Sequence, residues 1–422
     1  MNYVYYKDAE NKTRIKIPQE NYIGCIRCKE PEEIQWPVGH LQALRNPHGT
    51  KRLRDIASGR KRVTILVSDY TRAVPAKILL PSLIDELHQA GISESQITII
   101  IAGGVHRPST HKEIVQIIGK DWAKRLSVIN HDALDLDKLT FLGKTKRGTP
   151  IWVNNLVLES DLRIAFGQIE PHEFAGFTGG RKSILPGVSG EETIRFNHSP
   201  EMIGHPLARP GILEGNPIHE DMVEGALMVG LDFSINVVLN KDLKITGIFA
   251  GDMVEAHRKG VDFLNSFSRI EIPARPDIII TNPGKPLDVD LYQSIKALIA
   301  VDAIASSETV IVFYSACQDG LGSTDMLKPF SGATTPKEVE TNLRNNYKIQ
   351  MDHAFLLSKI LAKGVKVIAY SPNISSKIMK EMMMIPVGSP QEGLDLALQL
   401  STSRKPKILV CPQAPRTLPV LT

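Results

Sequence analysis

Residues 63–101, VTILVSDYTRAVPAKILLPSLIDELHQAGISESQITIII, decide the fold class. The β-branched run Val63–Val67 predicts a buried strand, and the run Ile97–Ile101 predicts a second one. Between them, the residues from Pro75 to Ala90 have the apolar spacing of a helix. A strand, a helix and a strand in this order are typical of a parallel sheet. The stretch therefore predicts an α/β protein with largely parallel sheets.

The same alternation continues along the chain. A helix is expected from about Thr110 to Ile118, and five further strands are predicted at Asp161–Phe166, Asp277–Thr281, Thr309–Phe313, Val365–Tyr370 and Lys407–Val410. Two prolines between residues 267 and 276 break the pattern. Because 422 residues exceed what one hydrophobic core usually serves, we expect two α/β domains, 1–270 and 271–422, with the active site between them. Whether the last residues return to the N-terminal domain stays open.

Composition excludes some classes of function. The chain has 50 basic and 46 acidic residues, a formal charge of +4, and no basic run of the kind that binds nucleic acid. The N-terminus lacks the apolar core of a signal peptide, and no stretch approaches the roughly 20 apolar residues that span a bilayer. We expect a soluble, cytoplasmic protein without a nucleic-acid or membrane partner. Its oligomeric state is left open, with a homo-oligomer as one of the alternatives.

The cysteines leave two readings open. Four cysteines do not form a disulfide framework, and Cys25 and Cys28 make a single Cys-x-x-Cys without a second pair at zinc-ligand spacing. The pair is therefore either a zinc or redox site or two incidental thiols, and the second reading is favoured.

Polar side chains follow three of the predicted strands. Asp69 and Arg72 follow the strand at 63–67, His106 follows the strand at 97–101, and His172 follows the strand ending near Phe166. In open α/β sheets, ligands bind beyond the carboxyl ends of the strands. The sequence therefore predicts that these residues converge at one edge of a sheet.

A glycine-rich turn, GFTGGRKS at residues 176–183, invites comparison with a phosphate-binding P-loop. Arg181 stands where the P-loop requires the glycine before its lysine, so the signature is broken. The glycines still allow backbone amides to approach an anion, and Arg181 or Lys182 supplies charge, which makes a nucleotide monophosphate a candidate ligand. A plain flexible loop is the alternative. Downstream, Ser189–Glu192 predicts a capping box that opens a short helix ending near His198.

Five segments in this order resemble the nickel-dependent lactate racemase family. They are Ser68–Arg72, Gly103–Pro108, Gly167–Ser183, Arg195–Pro200 and Tyr292–Lys296, and together they span most of the chain. The resemblance implies a nickel pincer nucleotide, a pyridinium-3-thioamide-5-thiocarboxylic acid mononucleotide joined covalently to Lys182. It also implies that His198 is the protein ligand of Ni(II), and that His106 and His172 are the catalytic pair, one for each enantiomer.

The remaining site residues are also assigned through the resemblance. Arg72 matches a residue that pairs with the substrate carboxylate, a role suited to a bidentate guanidinium. Asp69 is expected either to hold the cofactor or to orient a neighbour. Further substrate-binding residues are Tyr292, Gln293 and Lys296, and further cofactor-binding residues are Thr71, Gly176, Thr178, Gly179, Gly180 and Arg181.

The expected activity is racemisation or epimerisation of a 2-hydroxy acid through a 2-keto acid. A side-chain base cannot easily remove the weakly acidic α-hydrogen, since pKa shifts of ~3–5 units are too small. Removing hydride instead requires a cofactor as electron sink. Lactate or another short acid is the first expectation, and malate, an aromatic acid or a sugar acid stay open. Enzymes that make the cofactor are implied partners. The rival hypotheses are a nucleotide-dependent enzyme and a non-catalytic protein that binds small acids.

Overall fold

The structure is a computed structural model that describes residues 2–8, 13–35, 38–72 and 74–422. The chain forms two compact units. Unit I comprises Glu30–His198 and Leu207–Ser266, and unit II comprises the residues up to Lys29, Ser199–Pro206 and Phe267–Thr422. The change of unit after Ser266 lies close to the break expected near residue 270. The first 29 residues and Ser199–Pro206, however, group with the C-terminal half. A single boundary in the sequence therefore does not separate the two units.

Strands and helices alternate through both units, as the sequence predicted. The strands are β1 Tyr3–Asp8, β2 Thr13–Pro18, β3 Tyr22–Cys25, β4 Val63–Ser68, β5 Ile97–Ala102, β6 Ser127–Asn130, β7 Leu139–Lys144, β8 Pro150–Asn154, β9 Leu162–Gln168, β10 Pro171–His172, β11 Gly176–Phe177, β12 Phe233–Leu239, β13 Ile245–Gly251, β14 Arg269–Ile272, β15 Ile278–Thr281, β16 Val310–Tyr314, β17 Lys366–Tyr370, β18 Ile385–Pro386, β19 Ile408–Cys411 and β20 Leu418–Leu421. The α-helices are α1 Val38–Arg45, α2 Leu53–Ala57, α3 Ala76–Gln89, α4 His111–Ile118, α5 Lys120–Arg125, α6 Asn155–Glu159, α7 Glu191–Asn197, α8 Pro200–Ile203, α9 Pro217–Val229, α10 Met253–Ser268, α11 Leu291–Ser294, α12 Lys296–Val301, α13 Pro336–Asn346, α14 Asp352–Ala362, α15 Ser376–Glu381 and α16 Pro390–Leu400.

Unit I is built on a six-stranded sheet in the order β13-β12-β9-β4-β5-β6. Every neighbouring pair is parallel except β12 and β13. The central strand β4 is buried at all of its first five residues, which is why it reads as a continuous apolar run. The predicted strand–helix–strand unit at 63–101 is therefore confirmed, and it forms the centre of the sheet.

Unit II contains a second six-stranded sheet, in the order β18-β17-β16-β15-β19-β3, with every pair parallel. The last strand, β20, pairs in parallel with β14 at 269–272, so the chain ends against another segment of unit II. The predicted fold class, α/β with largely parallel sheets, is confirmed. Among the described residues, no helix combines the length and the apolarity needed to cross a bilayer.

Candidate active site in unit I

Three neighbouring strands deliver the predicted polar residues. β4 is followed by Asp69, β5 by the turn that leads to His106, and β9 by the short hairpin β10–β11 that contains His172. Since β9, β4 and β5 are adjacent and parallel, their carboxyl ends lie at the same edge of the sheet. The sheet order thus provides the physical basis for the convergence that the sequence suggested.

His106 is held by a buried carboxylate. Its Nδ1 lies 2.7 Å from Oδ2 of Asp69, which is only 3% exposed. The other carboxylate oxygen, Oδ1, accepts hydrogen bonds from the hydroxyl and the backbone N–H of Thr71, at 2.6 and 3.2 Å. Burial tends to raise the pKa of Asp69, but the hydrogen bonds from His106 and Thr71 and the charge of Arg72 outweigh it, so the pKa is lowered. In the neutral ring, the ionised carboxylate places the proton on Nδ1, which leaves the lone pair of His106 on Nε2.

Lys182 lies beside His172. The lysine Nζ is 3.2 Å from Nε2 of the imidazole. At Nδ1, two kinds of partner compete: the Glu173 carboxylate at 3.1 Å, and the backbone N–H groups of Phe174 and Ala175 at 3.4 and 3.3 Å. A ring nitrogen cannot donate to the first and accept from the others at once. In either tautomer, Nε2 is the atom that connects His172 to the lysine.

The glycine-rich turn that precedes Lys182 is tightly packed. Gly179 has φ +130°, and a Cβ there would lie 2.4 Å from Cδ2 of His257 on α10. The next amide, of Gly180, donates to Oδ1 of the buried Asn236 on β12 at 2.7 Å. Gly176 has φ +76°, and a Cβ there would lie 2.0 Å from the Ile212 carbonyl oxygen. These glycines permit close packing and left-handed backbone, whereas the sequence had suggested an approach to a phosphate.

Thr178 and Arg181 also make contacts within the protein. Thr178 donates its hydroxyl to the Gln168 carbonyl and accepts from the Glu170 N–H at 2.9 Å, which ties the hairpin to β9. The side chain of Arg181 is 1% exposed, and burial lowers its pKa to about 9. The structure therefore places both side chains as internal supports of the turn.

His198 lies directly after the short helix α7, and its backbone N–H donates to the Ile194 carbonyl at 2.9 Å. The side chain is 7% exposed, and Nδ1 has no hydrogen-bond partner among the residues that the structure describes. Burial, together with the charge of Lys182, lowers its pKa to about 3. The imidazole is therefore neutral near pH 7. Phe174 lies edge-on to both histidines, with ring centroids 4.6 Å from His172 and 5.0 Å from His198.

The start of α7 differs from the prediction. Its N-cap is Gly190, without a side-chain cap, and the Ser189 hydroxyl donates instead to the Ile184 carbonyl at 2.7 Å. The capping box at Ser189–Glu192 was wrong, because this hydroxyl stabilises the turn after Lys182. That contact, like the bond from the Gly104 N–H to the Gly187 carbonyl at 2.9 Å, braces the segment between Lys182 and His198.

The cluster fits a metal that is already coordinated by an organic group. Among the described residues, no group of three or more His, Cys, Asp or Glu side chains could hold a metal ion. A metal bound here would take fewer than three such ligands from the described residues. Neutral imidazole is a suitable ligand for nickel, and His198 is a buried, unprotonated imidazole close enough to Lys182 to feel its charge. Lys182 and His198 thus fit a lysine-bound group that carries a metal.

Three predicted substrate residues lie in unit II. Tyr292 and Gln293 are on α11, Lys296 begins α12, and all three are partly buried. The Tyr292 hydroxyl donates to Oδ1 of Asp352 at 3.0 Å, and its ring lies 4.1 Å from that of His353. Both partners are on α14, so this helix fixes the orientation of Tyr292.

Several of these partners were missed in the sequence. Glu173 and Phe174 lie inside the quoted motif beside His172, so their positions were visible but their contacts were not. Asn236, His257, Asp352 and His353 carried no motif, and their partners are distant in the chain. The Cys-x-x-Cys belongs to unit II, where Cys28 donates its thiol to the Arg416 carbonyl at 2.6 Å.

Fold and site define a class: a two-unit α/β protein in which a lysine and two histidines cluster at the carboxyl edge of a parallel sheet. Known proteins make this assignment specific. A model of the lactate racemase N-terminal domain matches residues 8–211, and one of the lactate racemase C-terminal domain matches 272–415. The chain is 35% identical over 396 residues to a lactate racemase from Thermoanaerobacterium thermosaccharolyticum, covering 92% of each sequence. It is 37% identical over 332 residues to one from Lactiplantibacillus plantarum, covering 76% of this chain and 77% of the relative. The chain belongs to the lactate racemase family.

Solved structures agree with this assignment. The lactate racemase apoprotein from T. thermosaccharolyticum superposes with a TM-score of 0.91 at 35% identity, with full coverage of both chains. A Thermotoga maritima protein at 16% identity gives a TM-score of 0.69 over 93% of this chain and 100% of its own. The second likeness shows the fold alone.

Proposed function

We propose that this protein is a racemase of a short 2-hydroxy acid, with lactate as the first candidate substrate. Family membership supports the reaction class, since the two relatives above are lactate racemases. The observation that carries the proposal is the cluster of Lys182, His172 and His198 around Phe174. Malate, aromatic acids and sugar acids are the alternative substrates of the same chemistry.

The proposed cofactor is the nickel pincer nucleotide that the family resemblance implies, attached to Lys182 and ligated by His198. When bound, this group supplies the hydride acceptor that side chains lack. The lysine amine must be deprotonated to form such a bond. In the tautomer with its proton on Nδ1, which the Glu173 carboxylate favours, Nε2 of His172 at 3.2 Å is placed to take the lysine proton. Enzymes that make the cofactor are the partners that this proposal requires.

The two histidines move the proton of the substrate hydroxyl. For His106, the Asp69 carboxylate fixes the proton on Nδ1, so Nε2 accepts the hydroxyl proton from one enantiomer and returns it when that enantiomer forms. We assign the same role toward the other enantiomer to His172. Arg72, which follows Asp69 in the same turn, is proposed to pair with the substrate carboxylate. Tyr292, Gln293 and Lys296 stay proposed substrate-binding residues.

Other assignments also remain proposals. Asp69 and Thr71 act on His106 through the hydrogen bonds described above. Gly176, Thr178, Gly179, Gly180 and Arg181 are proposed to shape the wall of the cofactor site by holding Lys182 and the hairpin in place.

The experiment is to co-express the protein with cofactor-making enzymes of the family and to measure its intact mass, nickel content and the mass of the peptide containing Lys182. We expect an added mass on that peptide, about one nickel per chain, and conversion of either lactate enantiomer to the racemate, followed by chiral chromatography. Lys182→Arg should abolish the added mass, whereas Lys124→Arg, at an exposed position on α5, should not. An unmodified Lys182 in a preparation where a known relative is loaded would contradict the proposed cofactor.

A further inference from the structure

Arg181 is a buried cation with an unusual set of partners. Its side chain is 1% exposed, and the only cause that shifts its pKa, to about 9, is burial, so the guanidinium stays charged near pH 7. Among the ion pairs of the described residues, none includes Arg181. A buried charge without a carboxylate is costly unless backbone or side-chain acceptors satisfy it. The acceptors that it does contact therefore indicate its role.

Those acceptors belong to the hairpin that contains His172. Nη2 donates to the carbonyl oxygens of Ala175 at 3.2 Å and Phe177 at 2.8 Å, on the returning side of the hairpin. Arg181 immediately precedes Lys182 in the 3₁₀ turn Gly180–Ser183. One side chain thus joins the turn that presents Lys182 to the hairpin that presents His172.

A second contact anchors the same guanidinium to α10. Nη1 lies 2.9 Å from Nε2 of His257, and that ring nitrogen also lies 2.8 Å from the Thr178 carbonyl. The tautomer decides which of the two is the hydrogen bond. Burial, together with the charge of Arg181, lowers the pKa of His257 to about 3, so the ring stays neutral and adds no second charge. His257 also fills the space directly beside Gly179, where no Cβ fits.

We propose that Arg181, supported by His257, is a positioning residue that sets the distance between His172 and Lys182, and through the lysine the placement of the cofactor. This inference rests on the proposed function for its catalytic consequence, but the contacts themselves do not. The role differs from binding a phosphate by charge, because Nη2 already donates to two carbonyl oxygens of the hairpin and the side chain is 1% exposed. A lysine at position 181 would keep the charge but cannot reach two carbonyls and His257 together.

The test compares Arg181→Lys with Arg163→Lys. Arg163 is a matched control, because it lies on β9 in the same unit and also donates to backbone carbonyls, those of Val157, Leu158 and Gly230. The first measurement is hydrogen–deuterium exchange of the unloaded protein at a temperature where both variants are folded. We expect faster exchange in peptides covering residues 170–180 for Arg181→Lys, and no change there for Arg163→Lys.

The second measurement uses the loaded protein, with the rate divided by the fraction of Lys182 peptide that carries the added mass. Misplacing a catalytic group by about 1 Å can cost on the order of 100-fold in rate, so we expect kcat per loaded chain to fall by roughly 10- to 100-fold in Arg181→Lys, with KM changed by less than about threefold. If Arg181→Lys does not fold, His257→Leu removes the ring nitrogen that contacts Nη1 while keeping the arginine, and should show the same two effects at smaller size.

Two results would overturn the inference. Unchanged exchange at 170–180 in Arg181→Lys would show that the guanidinium does not hold the hairpin, whatever the protein catalyses. Full kcat per loaded chain in Arg181→Lys would show that its charge alone suffices. If the exchange effect appears but no substrate is racemised by the loaded parent, the proposed function fails while the structural coupling stands.

Discussion

The contact between Asp69 and His106 predicts the effect of Asp69→Asn. Oδ1 accepts two hydrogen bonds from Thr71, one from its hydroxyl and one from its backbone N–H. In the asparagine variant, the carbonyl oxygen should keep these two donors, which turns the amide NH2 group toward His106. An amide donor requires Nδ1 to accept, so the ring proton moves to Nε2. His106 would then keep its place but lose the Nε2 lone pair to which we assign the substrate proton.

General acid–base catalysis by a positioned side chain contributes about 10²- to 10⁴-fold. Because the ring stays in position and only its tautomer is wrong, we expect kcat to fall by roughly 10²- to 10³-fold, or about 3–4 kcal/mol. The fraction of Lys182 that carries cofactor should be unchanged, since the contacts described for Asp69 involve His106 and Thr71, not the lysine.

The assay is the initial rate of racemisation from each lactate enantiomer, per loaded chain, by chiral chromatography. Asp161→Asn is the control, because Asp161 also accepts backbone hydrogen bonds in unit I, from Lys61 and Arg62, but outside the site. Adding Thr71→Val to Asp69→Asn removes one of the donors that hold the amide carbonyl, and should recover part of the loss. An Asp69→Asn rate within about threefold of the parent would refute the tautomer argument.

Two further predictions concern stability. Gly179→Ala should lower the free energy of unfolding of unit I in urea by about 3 kcal/mol, because the alanine would be strained at a positive φ and would overpack against His257. Gly59→Ala, at φ +78° with open space around it, should lower it by only about 1 kcal/mol. Equal losses in the two variants would contradict the close packing at Gly179. Burial lowers the pKa of His40 from 6.5 to about 4, so its contribution to stability is complete above pH 6.5 and is lost as the pH falls toward 4. Between pH 7 and pH 5, the free energy of unfolding of the parent should fall by about 2 kcal/mol more than that of His40→Gln. Identical losses would show that this histidine titrates freely in the folded state.

The fold could be predicted because its signals are local. Val63–Val67 and Ile97–Ile101 are apolar enough to be central strands, and the structure pairs them in register from Val63 and Ile97 onward. The grouping of residues 1–29 with the C-terminal half could not be predicted in this way. It depends on β3 pairing with β19, almost 400 residues later, and no local pattern encodes such a partner.

In the candidate site, too, the residues marked by local motifs could be predicted, whereas contacts with distant residues could not. Motifs and the family resemblance pointed to His106, His172, Lys182 and His198, and the structure brings the last three together. Arg181 shows what the sequence could not predict. Its sequence context suggests a residue that binds an anion, yet its partners include His257, 76 residues away. Whether an arginine faces a ligand or the interior depends on the tertiary packing around it.

The two histidines are held differently, and this asymmetry is compatible with racemisation. His106 has one ionised carboxylate at Nδ1, whereas His172 has a carboxylate and two amides competing for the same atom. Enantiomers have equal free energy in an achiral solvent, so kcat/KM must be equal in the two directions for the parent and for every variant. That equality does not extend to kcat or KM separately. Any difference in kcat between the two enantiomers must therefore be matched by an equal ratio of their KM values. The unequal surroundings of His106 and His172 predict unequal kcat values for the two enantiomers, with KM values in the same ratio, rather than a preferred direction.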